Sequence, residues 1–270
     1  MQTLGEGYAI HKQDIFVRKQ FNDESGINHE FLSESYFKYF NGRNYTESTC
    51  YLTITQESKG SRLFSYDNKK WKEFLVKVRK VHDQLRDAGL RVRYLSKTEA
   101  CEYVDRYFAM NFKDKIISMS NYKVDGETIS MGGRTAKVYS LIDVDHTNLP
   151  SIIRPYTNIE VNNVSMPVDL LSVIDSIPHA DTVIYNQIVY LPNQKRELSM
   201  LDKTRHASIP NPSNQMAVED IKKVQEVVAR ENKQLTYTHF NLIVSVPEDT
   251  DIQKCTNHLE NSFSRLGIHI

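Results

Sequence analysis

Between residues 69 and 88 the apolar side chains Trp71, Phe74, Leu75, Val78, Val81 and Leu85 recur at steps of three and four. That period predicts one long amphipathic helix. Asn68 can cap its start, and Gly89 suits a left-handed stop. A helix with a single apolar face has to lie against another layer. The flanking sequence supplies candidates. Residues 49–55 alternate Cys50, Leu52 and Ile54 against Tyr51, Thr53 and Thr55, the pattern of a strand. Residues 90–94 read as a second strand. Ser96-Lys97-Thr98-Glu99 is a capping box that opens another helix, to about residue 110. Residues 49–110 thus predict strand, helix, strand, helix.

The rest follows a similar plan. Residues 8–17 read as a strand, and residues 22–48 as a polar, irregular lead with one aromatic cluster: Phe31, Tyr36, Phe37, Tyr39 and Phe40. Short strands are expected at 129–131, 136–142 and 157–161, with Gly126 and Gly132-Gly133 at hairpin turns. Ser165 and Pro167 predict a short helix over 168–176. Residues 182–191 form the strongest strand signal, followed by a partly helical stretch at 192–205. A helix over 217–232, a strand over 236–246 and a helix over 249–266 complete the pattern. The expected fold class is α+β. It comprises two α/β subdomains, residues 1–133 and 134–270, with mixed or antiparallel sheets. Each carries βαβ (ferredoxin-like) units, with helices mainly on one face. The chain opens within a strand and closes on Ile268-His269-Ile270, a strand of three residues, so a piece of a longer protein is expected.

Composition narrows the function. The 34 Lys+Arg balance 34 Asp+Glu over 270 residues. That argues against a chain devoted to coating nucleic acid, which runs on excess positive charge. No apolar run approaches the ~20 residues that span a bilayer. No basic-then-apolar leader is visible. Cys50, Cys101 and Cys255 are far apart and odd in number, and read as reduced, partly buried thiols of a cytosolic protein.

Catalytic signatures are sparse. The nearest approach to a phosphate-binding loop runs from Gly126 to Gly132-Gly133-Arg134-Thr135. Its glycine spacing is one too long, and arginine stands where lysine would reach the phosphates, so a glycine hairpin is expected. Asp143-Val144-Asp145-His146 is the one compact group of metal-ligand types. It reads as a polar loop ending near Leu149-Pro150, with metal ligation, and a metal-dependent enzyme built on it, as the alternative. His11 to Asp14 reads as a solvated edge strand. His239, His258 and His269 share no ligand spacing.

The charge map has one local asymmetry. From Asp67 to Lys97 there are ten basic and four acidic residues. The segment reads as the wet face of an amphipathic helix. Contact with DNA, an acidic partner or anionic headgroups is the alternative, centred on Lys69, Lys70, Arg91 and Arg93.

Five segments carry a resemblance: Ile10-His11-Lys12-Gln13-Asp14-Ile15-Phe16, the run from Phe31 to Asn41, Thr49-Cys50-Tyr51-Leu52-Thr53-Ile54-Thr55, Ile184-Tyr185-Asn186-Gln187 and His239-Phe240-Asn241-Leu242. In this order they resemble the N-terminal half of the TraG-type conjugation ATPases of Bacteroides conjugative transposons. These are related to the large inner-membrane-associated ATPases of type IV secretion systems. The resemblance covers nearly the whole chain and implies a non-catalytic scaffold region preceding a P-loop motor. ATP and Mg would belong to that C-terminal ATPase domain, beyond residue 270, and no cofactor to this part. Implied partners are the chain's own ATPase domain, other conjugation or secretion channel components, and further copies of itself. The implied location is cytoplasmic, peripheral to the inner membrane. No catalytic residue carries over.

Overall fold

The computed structural model describes residues 3–22, 31–57, 67–117, 121–140, 157–161, 164–168, 172–231 and 233–265. In chain order these form β1 (Tyr8–Gln20), α1 (Phe31–Phe40), β2 (Asn44–Gln56), α2 (Asn68–Asp87), α3 (Lys97–Phe108), β3 (Lys123–Asp125), β4 (Thr128–Met131) and β5 (Arg134–Ser140). They continue with β6 (Thr157–Val161), β7 (Val164–Val168), α4 (Ser172–Asp175), β8 (Thr182–Leu191), α5 (Gln194–Ser208), α6 (Gln215–Glu231), β9 (Tyr237–Pro247) and α7 (Gln253–Arg265).

The chain is α+β. Seven strands form one sheet in the order β2-β1-β8-β9-β5-β4-β3, and β6 with β7 forms a separate two-stranded ribbon. The pairings are antiparallel. Gly7 donates to the Leu191 carbonyl at 2.8 Å and Arg18 to that of Asp181 at 3.0 Å, which fixes β1 against β8. In β5 against β9, Arg134 faces Pro247 and Ser140 faces Asn241. Strands on either side of a helical excursion, β1 and β2 or β8 and β9, are therefore direct antiparallel neighbours. The expected ferredoxin-like βαβ unit, which needs parallel strands, is not the arrangement here. Gly132 and Gly133 make the two-residue β4–β5 turn with φ of 58° and 75°, the left-handed pair such a hairpin needs.

Two compact units emerge, each assembled from three stretches of chain. Unit 1 takes Met1–Lys12, Leu52–Tyr94 and Gln187–His239; unit 2 takes Gln13–Tyr51, Leu95–Asn186 and Phe240–Ile270. This differs from a division at 133/134. The reason is that β1, β2, β8 and β9 each begin in one unit and end in the other.

In unit 2 helices cover both faces of the sheet rather than mainly one. Ile15 and Val17 of β1 pack with Ile184 against Tyr103 and Tyr107 of α3. Phe16, pointing the opposite way, joins Val183, Leu242, Val244 and Val246 against Cys255 and Leu259 of α7 and Ile174 of α4. Consecutive apolar residues such as Val183-Ile184 mark strands covered on both sides. A third cluster joins Ala109 and Met110 to Met131 and Ala136. Unit 1 has a smaller centre: Leu4, Tyr8 and Leu191 are buried, with Ile10, Ile54, Phe74 and Val81 packed around them.

Several local expectations change. Residues 31–40 form α1 rather than irregular chain. Phe37 stacks on Phe21 at 5.8 Å, and the Arg43 guanidinium lies 3.6 Å over the Tyr39 ring. Residues 90–94 form no strand. Tyr94 instead stacks on His82 of α2 at 4.7 Å, so the chain folds back along the helix it leaves. Ser165 and Pro167 lie in β7, with Pro167 opposite Asn158 at the edge of a two-stranded ribbon, where a missing N–H costs least. The helix that follows is the single turn α4.

Candidate interaction surfaces

The elements of unit 1 present a basic segment, an apolar stripe and an acidic cleft. Asp67 caps α2, accepting from the backbone N–H of Lys69 at 3.0 Å and Lys70 at 3.2 Å. That holds Lys69 and Lys70 at the exposed first turn, where the helix dipole gives them no support. At the other end Gly89, at φ 85°, reverses the chain. Arg86, Leu90, Arg91, Val92 and Arg93 then line an open cleft of about 480 Å³. The four contact candidates therefore sit in two groups, at opposite ends of one helix. Lys77, midway, is engaged internally: its ammonium donates to the Leu4 carbonyl and lies 4.3 Å over the Tyr8 ring. Lys97 opens α3 and belongs to unit 2.

The apolar stripe of α2 is used on one edge only. Phe74 and Val81 pack inward, whereas Trp71 is 45% and Leu75 43% exposed. None of α2, α5 and α6 has a buried residue. Met200 of α5 and Met216, Val224 and Val227 of α6 are exposed as well.

The third feature is a cleft of about 650 Å³ whose lining includes Glu6, Glu57, Glu197, Tyr190, Arg196 and Tyr237. The two tyrosine rings stack at 6.3 Å, nearly parallel. The Tyr190 hydroxyl donates to Glu57 Oε2 at 3.1 Å, and that of Tyr237 donates to Glu197. Those bonds to carboxylates push both phenols above their ordinary pKa. Glu6 accepts from Asn193 Nδ2 at 2.7 Å and from the Gln194 backbone N–H at 3.0 Å. Each carboxylate thus has a donor already, and the cleft is polar, acidic and internally satisfied.

Unit 2 holds what sequence reading missed. Gln13 of β1 donates to Asn186 Oδ1 of β8 at 2.8 Å, and Asn186 Nδ2 donates to Asn241 of β9 at 2.7 Å. The Tyr103 hydroxyl of α3 donates to Gln13 Oε1, closing an amide ladder across three adjacent strands. Gln13 and Asn186 are 1% and 2% exposed. Burial, then the neighbouring Tyr107 and Tyr51, push the Tyr103 phenol up to about 12. Three of the five segments that carry the resemblance meet in this ladder. β1 is flanked on both sides, so His11 to Asp14 is not an edge strand, and Asp14 is buried.

A second polar centre lies where β5 and β8 start. Arg134 reaches Asp181 at 2.6 Å and Asp114 at 2.8 Å, while Lys113 also reaches Asp181 at 2.6 Å. Burial pushes the Asp114 carboxyl up, but hydrogen bonds from Asn111 and Arg134 and the charges of Arg134 and Lys113 outweigh it and leave its pKa lowered. Arg134, whose position resembled a phosphate-loop lysine, is in this way an internal ion-pair partner.

Asp143, Asp145, His146 and His269 lie outside the described residues. Among the described residues no group of three or more His, Cys, Asp or Glu could hold a metal ion. His239 is exposed, and His258 bonds Ser176 Oγ at 3.0 Å. Cys50 and Cys101 are exposed rather than half-buried. Cys255 is buried, its thiol pushed up by burial and donating to the Pro178 carbonyl at 3.1 Å. Among the described residues no helix is long and apolar enough to cross a membrane. Compared with known proteins, the chain matches no family model and no curated protein.

Proposed function

We propose that the chain is the non-catalytic scaffold and interaction region of a conjugative-transfer ATPase of the TraG type, acting by binding. In this reading ATP and Mg are used by a P-loop domain C-terminal to residue 270, and turnover there powers DNA transfer between cells. The chain works on the cytoplasmic side, peripheral to the inner membrane, against that motor domain, channel components and further copies of itself. The resemblance supplies the machine. The observation that carries the binding role is the unburied apolar stripe on the helices of unit 1. Long helices with one apolar face draw their stability from packing it, and on α2 Leu75 is 43% exposed, with Trp71 exposed to a similar degree.

The test is a mating assay with the parent gene carrying Leu75→Glu together with Val224→Glu. Transfer frequency is expected to fall at least tenfold, with the purified chain keeping its circular dichroism spectrum. Unchanged transfer removes the reading. So does ATP turnover above background by residues 1–270 alone.

A second reading rests on the cleft lined by Arg86, Arg91 and Arg93: direct contact with single-stranded DNA. Fluorescence anisotropy at two salt concentrations decides it. Salt-sensitive binding that is lost on alanine substitution of Lys69, Lys70, Arg91 and Arg93 supports it. Binding that ignores the substitutions removes it.

A further inference from the structure

The cleft that holds Tyr190 and Tyr237 lies wholly within unit 1, and hydrogen bonds shape its walls. β8 ends at Leu191, and Asn193 then caps α5, accepting from the Arg196 backbone N–H at 2.9 Å. Gln194 fixes the opposite side. Its side chain donates to the Leu235 carbonyl at 2.9 Å and accepts from the Leu235 N–H at 2.8 Å, which ties the first turn of α5 to the approach to β9. Glu6 ties the same turn to the chain ahead of β1 through Asn193 and Gln194. At about 650 Å³ the cleft falls among ligand pockets, which run roughly 300–1,000 Å³.

Two features meet in this cleft. The first is a pair of tyrosine rings, parallel to within 7° and 6.3 Å apart, with Tyr237 55% exposed. Each hydroxyl donates to a carboxylate, so both phenols stay neutral and their rings gain electron density. An electron-rich ring face attracts a cation. The second feature is charge: Glu6, Glu57 and Glu197 line the cleft against the single cation Arg196. One donor satisfies a carboxylate without saturating it. The tyrosine bonds use Oε2 of Glu57 and Oε2 of Glu197, and an ionised carboxylate offers about four acceptor positions.

We propose that the cleft takes an arginine side chain of a peptide segment, its guanidinium stacked on the tyrosine rings and its N–H groups on the carboxylates beside them. The excess of acids over bases selects a cation. The rings select a planar one. A guanidinium is flat, weakly hydrated and presents a fork of donors that matches a carboxylate, whereas an ammonium is a strongly hydrated point charge. The same carboxylates repel phosphates and acidic peptides. The inference does not rest on the transfer-machine reading, because it concerns only this cleft and a peptide in solution.

Fluorescence anisotropy of a labelled Gly-Arg-Gly-Arg-Gly peptide against residues 1–270 at low ionic strength is expected to show saturable binding. The peptide with lysine in place of arginine should bind at least tenfold more weakly. Glu57→Gln together with Glu197→Gln, and separately Tyr237→Leu, should each weaken the arginine peptide at least tenfold. Tyr237→Phe keeps the ring and should cost less than threefold. Arg196→Gln removes the competing charge and should tighten binding. Glu219→Gln with Glu226→Gln removes two charges from the exposed side of α6 and should change nothing. Circular dichroism melts check that each variant is folded. No saturation at millimolar peptide overturns the proposal, as does unchanged affinity in a folded Tyr237→Leu chain. Equal affinity for the lysine peptide, or equal weakening by the α6 pair, also overturns it and marks a diffuse acidic surface in place of a site.

Discussion

Unit 2 and unit 1 contain the same kinds of element, yet they are consolidated to different degrees. Unit 2 packs α3, which has no buried residue of its own, on one face of its sheet and α7 on the other, with Val244, Val246, Cys255 and Leu259 at 0% exposure. Unit 1 has three helices of 20, 15 and 17 residues, none with a buried residue, over a centre of Leu4, Tyr8 and Leu191. A fully buried leucine or valine contributes roughly 1.5–3 kcal/mol, so unit 2 can hold itself together in a way unit 1 cannot match. In the proposed scaffold reading, the more deeply buried unit 2 serves as the frame and the exposed helix faces of unit 1 as the contact.

The sharpest way to break this comparison is one leucine from each unit. Leu259→Ala removes a fully buried side chain and should cost about 2–5 kcal/mol in urea unfolding. Leu75→Ala, on the exposed edge of α2, should cost less than about 1 kcal/mol. Equal losses would mean that unit 1 is as well packed as unit 2.

Next in size is Arg134→Met. It leaves Asp181 with Lys113 alone and strips Asp114 of its guanidinium, at a cost of about 3 kcal/mol. The pH dependence has a fixed sign. Asp114 titrates lower when folded than its ordinary 3.8. Its contribution is therefore present above 3.8 and fades as pH falls through the lower folded value. The loss of stability on acidification should be shallower in Arg134→Met. An unchanged acid limb in urea melts would place the linkage elsewhere.

Asn186→Ala should cost about 2 kcal/mol, because Gln13 and Asn241 each lose one hydrogen-bond partner inside the sheet. Near-UV circular dichroism should register the disturbed Tyr103 environment. If the melt is unaffected, the ladder contributes nothing to unit 2.

How much of this was legible follows from the range of the interactions. The capping box at Ser96 and Glu99, the Gly132-Gly133 turn and the span of β8 are local, and each is visible within a few residues. α1 was not, because Ser33, Glu34, Ser35 and Lys38 interrupt its aromatic residues, and ten positions are too few for a helical period to stand out. Strand 90–94 fails because Arg91, Val92 and Arg93 alternate correctly but find no sheet neighbour, while Tyr94 finds His82. Gln13, Asn186 and Asn241 are polar residues within strands, which reads as solvent exposure. Their burial depends on partners up to 173 positions away. The interleaved units are the same problem at larger scale. No local composition shift marks a boundary that crosses four strands midway.

The smallest effect isolates unit 1 from its packing. Gly89 closes α2 at φ 85°, and a Cβ there would meet nothing within 4 Å. Gly89→Ala therefore adds no clash with a neighbour, only the cost of a left-handed backbone, about 1 kcal/mol. Gly89→Asn should recover part of it, since asparagine tolerates that conformation. Because α2 belongs to unit 1, the loss should shift the unfolding of that unit and leave hydrogen exchange in β9 from Leu242 to Val246 unchanged. Equal acceleration in both places would show that the two units open together, and the contrast between frame and contact would then be one of surface chemistry rather than of stability.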